Sequence, residues 1–468
     1  MRTFIRALPR AFRWRLFTFI AIYVVVSVYV LRLALHFTAP SASGRELAWT
    51  AVVAVVGTAL LIAGLLLPYN IAALRYRPPT RTPLVSVRVQ DTWPLPSPSS
   101  DFKFRRIGII LSGGGAKGAY QAGALRAVHE FLEKHKALDR VKMIAGTSIG
   151  SWNAMFWLGG LLSPGPDGRS AHERWWSEIS LDRIATFGTY RPGQPWLFKT
   201  TPWEQTFMQL FRDNADVHKR LTAIFTKNPP VHFYFTRTNV ARGTMEFSTN
   251  RAARVLTTVR RVAGAGGPMV PIDMIDVIET ADFDHLRKAV FASMDLPPLF
   301  PFASVGPNAD TPYEDGGVIA NLPVWFGTHL EQCDLLFILA LNASFAESQT
   351  SRFMASRLVR ALDIRQGVLE YDALRGIYDR NELIAMAKEL SRAKGLSPIA
   401  AVAVCPGPPL AINTTDFWAA DRASRAFHVM YQGTKSLLDS RFYELADPAR
   451  VVLACISPQQ ELSLRPIV

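Results

Sequence analysis

The hydrophobic pattern changes character three times along the 468-residue chain. Residues 16–35 read LFTFIAIYVVVSVYVLRLAL with one charge, Arg32, and residues 47–68 read LAWTAVVAVVGTALLIAGLLLP with none. About 20 apolar residues suffice for a helix to cross the hydrocarbon core of a bilayer, so each run predicts a spanning helix. Arg32 lies near the end of its run, where a long side chain can reach the interface. The connector, residues 36–46, is short, so the two helices form a hairpin. A second reading of the first run is a signal peptide, with Ser41-Ala42-Ser43 as its cleavage site. The second run would then stop transfer, and the large domain would stay on the same side.

Residues 76–100 lose this pattern. Pro78, Pro79, Pro83, Pro94, Pro96 and Pro98 stand among serines, a composition that favours extended, semi-rigid linker. From Arg106 a third pattern begins. Ile107 to Leu111 is a short apolar run of the kind that forms a buried strand. Residues 119–134 follow with helical spacing, placing Ala122, Leu125, Val128 and Leu132 on one face. Val141 to Ala145 reads as a second strand and residues 151–162 as a second helix. This βαβα alternation predicts a parallel sheet covered by helices. Further helices are expected at 353–363 and 417–438. The expected organisation is a membrane hairpin at 1–75, a basic linker at 76–105, a catalytic α/β domain at 106–340, and a helical and strand extension at 341–468 that packs on it.

Charge sharpens the membrane reading. The net charge is +14. Arg2, Arg6, Arg10, Arg13 and Arg15 stand in residues 1–15 with no acid, and residues 70–106 hold seven basic side chains against Asp91 and Asp101. Ten of the fourteen charges therefore flank the two apolar runs. Positive charge stays on the cytoplasmic side, which predicts both termini and the large domain inside. A nucleic-acid surface is the weaker reading, because such charges gather on one domain face. Three cysteines far apart, Cys333, Cys405 and Cys455, make neither a disulfide framework nor a metal-ligand spacing. His172-Glu173 lacks a second histidine at helical spacing and reads as ordinary surface.

Candidate chemistry lies in the βα turns. Gly113 to Gly118 sits between a strand and a helix and fits the dinucleotide fingerprint, but the acids downstream, Glu130 and Glu133, fall inside the helix. The turn still offers backbone N–H groups at a helix N-terminus, which can hold an anion or an oxyanion. One unit later, Gly146-Thr147-Ser148-Ile149-Gly150 places a serine on a strand-to-helix turn whose flanking glycines let it close. A serine nucleophile needs a base. His428 and His329 lie in unremarkable settings, whereas Tyr313-Glu314-Asp315-Gly316-Gly317-Val318 can present an acid on a tight loop. Asp-Gly is also a frequent turn. Six of the eleven tryptophans, Trp152, Trp157, Trp175, Trp176, Trp196 and Trp203, cluster between 152 and 203; they fit either a bilayer interface or a core.

In order, Gly113-Gly114-Gly115-Ala116-Lys117-Gly118, Gly146-Thr147-Ser148-Ile149-Gly150 and Asp315-Gly316-Gly317 resemble the motifs of the patatin-like phospholipase family, in a membrane-anchored bacterial type of member. The stretch Ala292-Ser293 to Phe300-Pro301 and Asn321-Leu322-Pro323 resemble the segments around its aspartate loop. The resemblance covers about residues 106–340. It implies a three-layer α/β/α domain with a mostly parallel sheet and a lipid acyl hydrolase acting on membrane lipids. The expected nucleophile is Ser148, the base Asp315, and the oxyanion donors Gly113, Gly114 and Gly115. Lys117 is expected to serve structure or headgroup charge. No metal or cofactor is implied. An Asp of ordinary pKa, near 3.9, would be a weak base. A membrane-anchored scaffold with an idle dyad, a nucleotide-binding domain, and a triad using His428 are the alternatives.

Overall fold

In a computed structural model of the protein, the described residues are 102–187, 198–226, 228–251, 272–276, 283–296, 300, 313–342, 354–459 and 461–467. The two apolar runs at 16–35 and 47–68, and the linker up to residue 101, lie outside them. Among the described residues, no helix is long and apolar enough to cross a membrane. The chain divides into two units, Met1–Ser86 with Gln349–Ala361, and Val87–Ser348 with Leu362–Val468. The first is described only at 354–361, the opening turns of a long helix.

The elements follow in the order β1 (Ile107–Leu111), α1 (Gly118–Lys134), β2 (Val141–Thr147), α2 (Ile149–Leu158), α3 (Ala171–Ser177), α4 (Thr201–Phe211), β3 (His232–Asn239), β4 (Thr244–Thr249), β5 (Ile272–Asp276), α5 (Phe283–Ser293), β6 (Tyr313–Asp315), β7 (Leu335–Leu339), α6 (Met354–Met386), β8 (Ala400–Pro406), α7 (Ala420–Leu445), β9 (Val452–Ile456) and β10 (Leu462–Pro466). Shorter helices and one two-stranded ribbon, Thr186–Phe187 with Phe198–Lys199, complete them. The ten strands share one sheet in the order β10-β9-β8-β7-β1-β2-β3-β4-β5, with β6 pairing beside β2 on β3. From β9 to β3 every pairing is parallel. Antiparallel neighbours appear at β10, β4 and β6.

The βαβα expectation holds closely, with β1 and α1 starting and ending within a residue of their predicted bounds. Strand alternation divides the core in two. Ile109, Ile144, Phe235, Phe337, Val402 and Ala454 face one side, where they pack with buried residues of α1, α2 and α7. Ile110, Met143, Tyr234, Ile338, Ala403 and Leu453 face the other, against Phe326 and α6 residues Leu374 and Ile377. Strands buried on both faces are nearly continuous apolar runs, as β1, β7 and β8 are. Helices thus cover both faces of a mixed, mostly parallel sheet.

Residues 341–468 contribute β8, β9 and β10 to that same sheet, with Leu335 paired to Ala400. Helix α7 crosses α1 closely enough that a Cβ at Gly123 would lie 2.0 Å from the Phe427 carbonyl oxygen. The helix expected at 353–363 runs on to Met386.

Candidate active site

The C-terminal ends of β1, β2 and β3 gather the candidate residues, the edge of a parallel sheet where ligands bind. After β1 the chain turns through Ser112 to Gly115 into a short 3₁₀ turn and then α1. Gly115 has φ +57°, and a Cβ there would lie 2.2 Å from the Thr414 carbonyl oxygen. Only glycine meets both demands without strain. A Cβ at Gly113 would lie 2.5 Å from Asn321 Oδ1 and 2.9 Å from Ser148 Cβ. The loop's N–H groups are unequal. That of Gly113 donates to the Asn321 carbonyl (3.3 Å) and that of Ala116 to the Thr414 carbonyl (2.8 Å). Those of Gly114 and Gly115 make no hydrogen bond among the described residues. Of the three expected donors, Gly113 is thus committed to holding the loop, while the N–H groups of Gly114 and Gly115 stay available.

Ser148 joins β2 to α2 with φ +54° and ψ −127°, a conformation that costs a non-glycine residue about 1–3 kcal/mol. The surroundings hold it there. Its N–H donates to Ser293 Oγ (2.9 Å), and its carbonyl accepts from Ser151 Oγ (2.6 Å). Gly146 and Gly150 let the elbow close, since a Cβ on either would lie within 2.6 Å of backbone atoms. Ser148 stands immediately before the N-terminus of α2, where the helix field favours negative charge.

Sheet register delivers the acid. Thr147, the last residue of β2, pairs with Thr236 on β3, and the next position, Arg237, pairs with Asp315 on β6. Strand β6 thus takes up the edge of β3 where β2 stops, which sets Asp315 beside Ser148. Asp315 is 4% exposed. Its Oδ1 accepts from the Gly317 N–H (2.7 Å), and the Ser148 side chain is near enough to favour its charged form. Gly316 fits because a Cβ there would lie 2.3 Å from Thr236 Oγ1. Burial pushes the Asp315 pKa up to about 6; the Ser148 side chain and the Gly317 bond pull down, and the Glu314 charge adds to the rise. The carboxylate is thus a better base than the ordinary Asp expected from sequence.

Lys117 is turned inward and 2% exposed, bonded to Asn342 Oδ1 and 3.1 Å from Asp363 Oδ1. That is a structural role, and the loop it braces has Gly113 and Ala116 committed to carbonyls, which weakens the nucleotide reading. His428 lies on α7, half exposed, with Nε2 3.6 Å from Glu173 Oε1, so it is not assembled with Ser148. His329 faces Thr328 Oγ1 at 2.7 Å.

One expectation needs correction, and one open alternative is decided. His172-Glu173 is not surface. Helix α3 tucks both inward, where His172 Nε2 meets Asn153 Oδ1 at 2.8 Å and Glu173 pairs with Arg126. Burial lowers the His172 pKa to about 3, leaving a neutral ring. The tryptophan cluster is core: Trp152, Trp157, Trp176 and Trp203 are buried, and Trp152 packs edge-on to Trp203 at 5.4 Å. Trp196 lies outside the described residues.

Sequence reasoning missed Ser293's bond to the elbow, and it missed Asn342, Asp363 and Glu370 beneath the glycine loop. No local signal marked them, since an inward polar face on a helix reads like a solvated one and Asn342 stands in a bend after β7. Among the described residues, no cluster of His, Cys, Asp and Glu could hold a metal ion, and the three cysteines are free.

The model of the patatin-like phospholipase family matches residues 109–326. No curated protein matches the chain. Among solved structures it is similar to VipD from Legionella pneumophila, at 14% identity and TM-score 0.31, over 72% of this chain and 67% of that one. It is also similar to the type III effector protein ExoU, at 14% identity and TM-score 0.20, over 62% of each chain.

Proposed function

We propose, from the premise that residues 109–326 are a patatin-like phospholipase domain, that this chain hydrolyses fatty acyl esters of membrane lipids through a Ser148–Asp315 dyad. The observation that carries the reading is Ser148, held at φ +54° on the strand-to-helix elbow, beside a buried carboxylate whose pKa is raised to about 6. A general base poised near the working pH is the more effective one.

In the first half-reaction Ser148 Oγ attacks the ester carbonyl carbon as Asp315 takes its proton. The carbonyl oxygen becomes an oxyanion, held by the Gly114 and Gly115 N–H groups and the field of α2. The intermediate collapses, the C–O bond to the glycerol side breaks, and Asp315 returns its proton to the leaving alcohol. An acyl ester remains on Ser148. Asp315 then takes a proton from water as its oxygen attacks that ester. Collapse releases the fatty acid and restores Ser148. Each oxyanion donor is worth roughly 10²–10³ in rate.

The flanking basic charges and the apolar runs at 16–35 and 47–68 support a membrane hairpin that keeps the domain at the cytoplasmic leaflet. The substrate would then be the bilayer that holds the enzyme. A fluorophosphonate probe should label the parent protein and not Ser148→Ala, and incubation with mixed phospholipids should release fatty acid by mass spectrometry. A parent protein that takes no label and releases no fatty acid would overturn the reading.

A further inference from the structure

We propose that Glu370, outside the region matched to the family, is the positioning residue that fixes the direction of the Gly114 N–H; the inference rests on Gly114 and Gly115 holding the oxyanion.

Helix α6 is built inside out between residues 362 and 370. Leu362, Ile364 and Val368 are 44%, 46% and 45% exposed. Asp363, Gln366 and Glu370, spaced three and four apart, share the opposite face. The usual surface helix buries its apolar stripe. Buried polar groups must find partners, and those of Glu370 lead to the glycine loop. Its side chain is wholly buried. Oε1 accepts from Asn321 Nδ2 (2.6 Å) and Asn342 Nδ2 (2.9 Å), and Oε2 accepts from the Asn342 N–H (2.7 Å). The same two amide groups donate to the Gly113 carbonyl oxygen, at 3.1 Å from Asn321 and 3.2 Å from Asn342. Lys117 holds the far side of the Asn342 amide through its Oδ1.

The Gly113 carbonyl belongs to the same peptide unit as the Gly114 N–H. A trans peptide is planar, so its C=O and N–H point in opposite directions. Two amides holding the carbonyl towards Glu370 therefore aim the Gly114 N–H away from it. Glycines on both sides of that peptide would otherwise let it rotate, since glycine populates positive and negative φ alike. Glu370 needs both oxygens for this task. A glutamine has one acceptor and one NH₂, and the NH₂ would confront an Asn donor. The peptide would then be free to turn, and the loop would lose its aim without losing its glycines. Glu370 touches neither substrate nor reacting atoms; it acts through Asn321 and Asn342.

The test uses full-length protein and Glu370→Gln. A merely structural role would weaken all ligands alike or lower the melting temperature. Positioning predicts a different signature. The kcat on a phospholipid substrate should fall about 10²-fold, the cost of one lost oxyanion donor, while KM stays within about twofold. Binding of an alkyl trifluoromethyl ketone should weaken in parallel with kcat. This ketone adds to Ser148 Oγ, passes the serine proton to Asp315 and places its oxygen as the oxyanion. Binding of an ether-linked phospholipid, which forms no oxyanion, should not change. Asn321→Ala removes one of the two donors to Gly113 and should give the same signature at about tenfold; it serves if the Glu370 variant does not fold. Glu370→Gln, or failing it Asn321→Ala, with kcat within about threefold of the parent, or with both ligands weakened equally, would overturn the proposal while leaving the hydrolase standing. A parent protein that neither hydrolyses esters nor takes a fluorophosphonate would remove both.

Discussion

Two buried carboxylates at opposite ends of one sheet have opposite acidities. Asp315 lies beside the C-terminal end of β2, and Glu331 lies near the N-terminal ends of β1 and β3. Glu331 is 1% exposed and ringed by basic side chains: Arg251 at 2.5 Å, His232 at 2.7 Å and Arg106 at 3.3 Å, with the Tyr234 hydroxyl at 2.6 Å. Burial would raise its pKa, but the His232 bond and charge, Tyr234 and Arg251 outweigh it, and the pKa is lowered. Asp315 has comparable burial and no cation among the groups that shift it, so desolvation wins. Burial alone does not make a catalytic acid or base. What separates the two is what stands beside each: arginines at one end, a serine side chain and one N–H at the other. A carboxylate locked by arginines is a fastener, whereas one left near pKa 6 can exchange protons with a substrate.

The comparison can be broken at either end. The largest effect belongs to the serine. Ser148→Ala should lower kcat by at least about 10⁴-fold with little change in melting temperature, as measured by ester hydrolysis and calorimetry. The opposite end should behave in reverse. Glu331→Ala leaves Arg251 without its buried partner and should destabilise the fold by about 3–5 kcal/mol. Activity per folded molecule should persist, read from active-site titration after denaturant unfolding has fixed the folded fraction. Loss of activity without loss of stability would place Glu331 in the chemistry and erase the distinction.

A smaller effect sharpens it further. The folded pKa of Asp315 lies above its unfolded value, so its protonated form is the one the fold favours. That contribution is present below about pH 4 and lost as pH rises through about 6. Two units correspond to at most about 3 kcal/mol. Asp315→Asn should therefore be inactive yet more resistant to denaturant than the parent at pH 8, with the gap closing towards pH 4. An unfolding series at both pH values checks this; a variant less stable at pH 8 would refute the cation-free account of the site.

The sequence made the near-neighbour structure legible. Strand, glycine turn, helix and elbow follow one another between Ile107 and Leu158, so periodicity and glycine placement sufficed. Long-range register was less accessible. Nothing in Ala400 to Pro406 announces that β8 pairs with β7, and nothing local says that β6 continues beside β3 where β2 ends. Asp315 stood out as a loop acid, but its raised pKa is a property of what surrounds it. His172 was misread for a related reason: a His-Glu pair looks like surface until Asn153 and Arg126 are found beneath it. Gly113 was placed in the right loop, but its N–H is spoken for by Asn321, 208 positions away along the chain by the reciprocal amide contact. Glu370 escaped because an inward polar face on a long helix has no sequence signature distinct from a solvated one.

The most direct measurement is kcat/KM against pH for a soluble short-chain ester, with the full-length protein. A free-enzyme base of pKa about 6 predicts activity that rises tenfold per pH unit below the midpoint and levels off above about pH 7. The profile should be insensitive to ionic strength, since no surface charge sets it. A profile flat from pH 4.5 to 7, or one whose midpoint lies at the ordinary Asp value near 4, would contradict an Asp315 base tuned by burial.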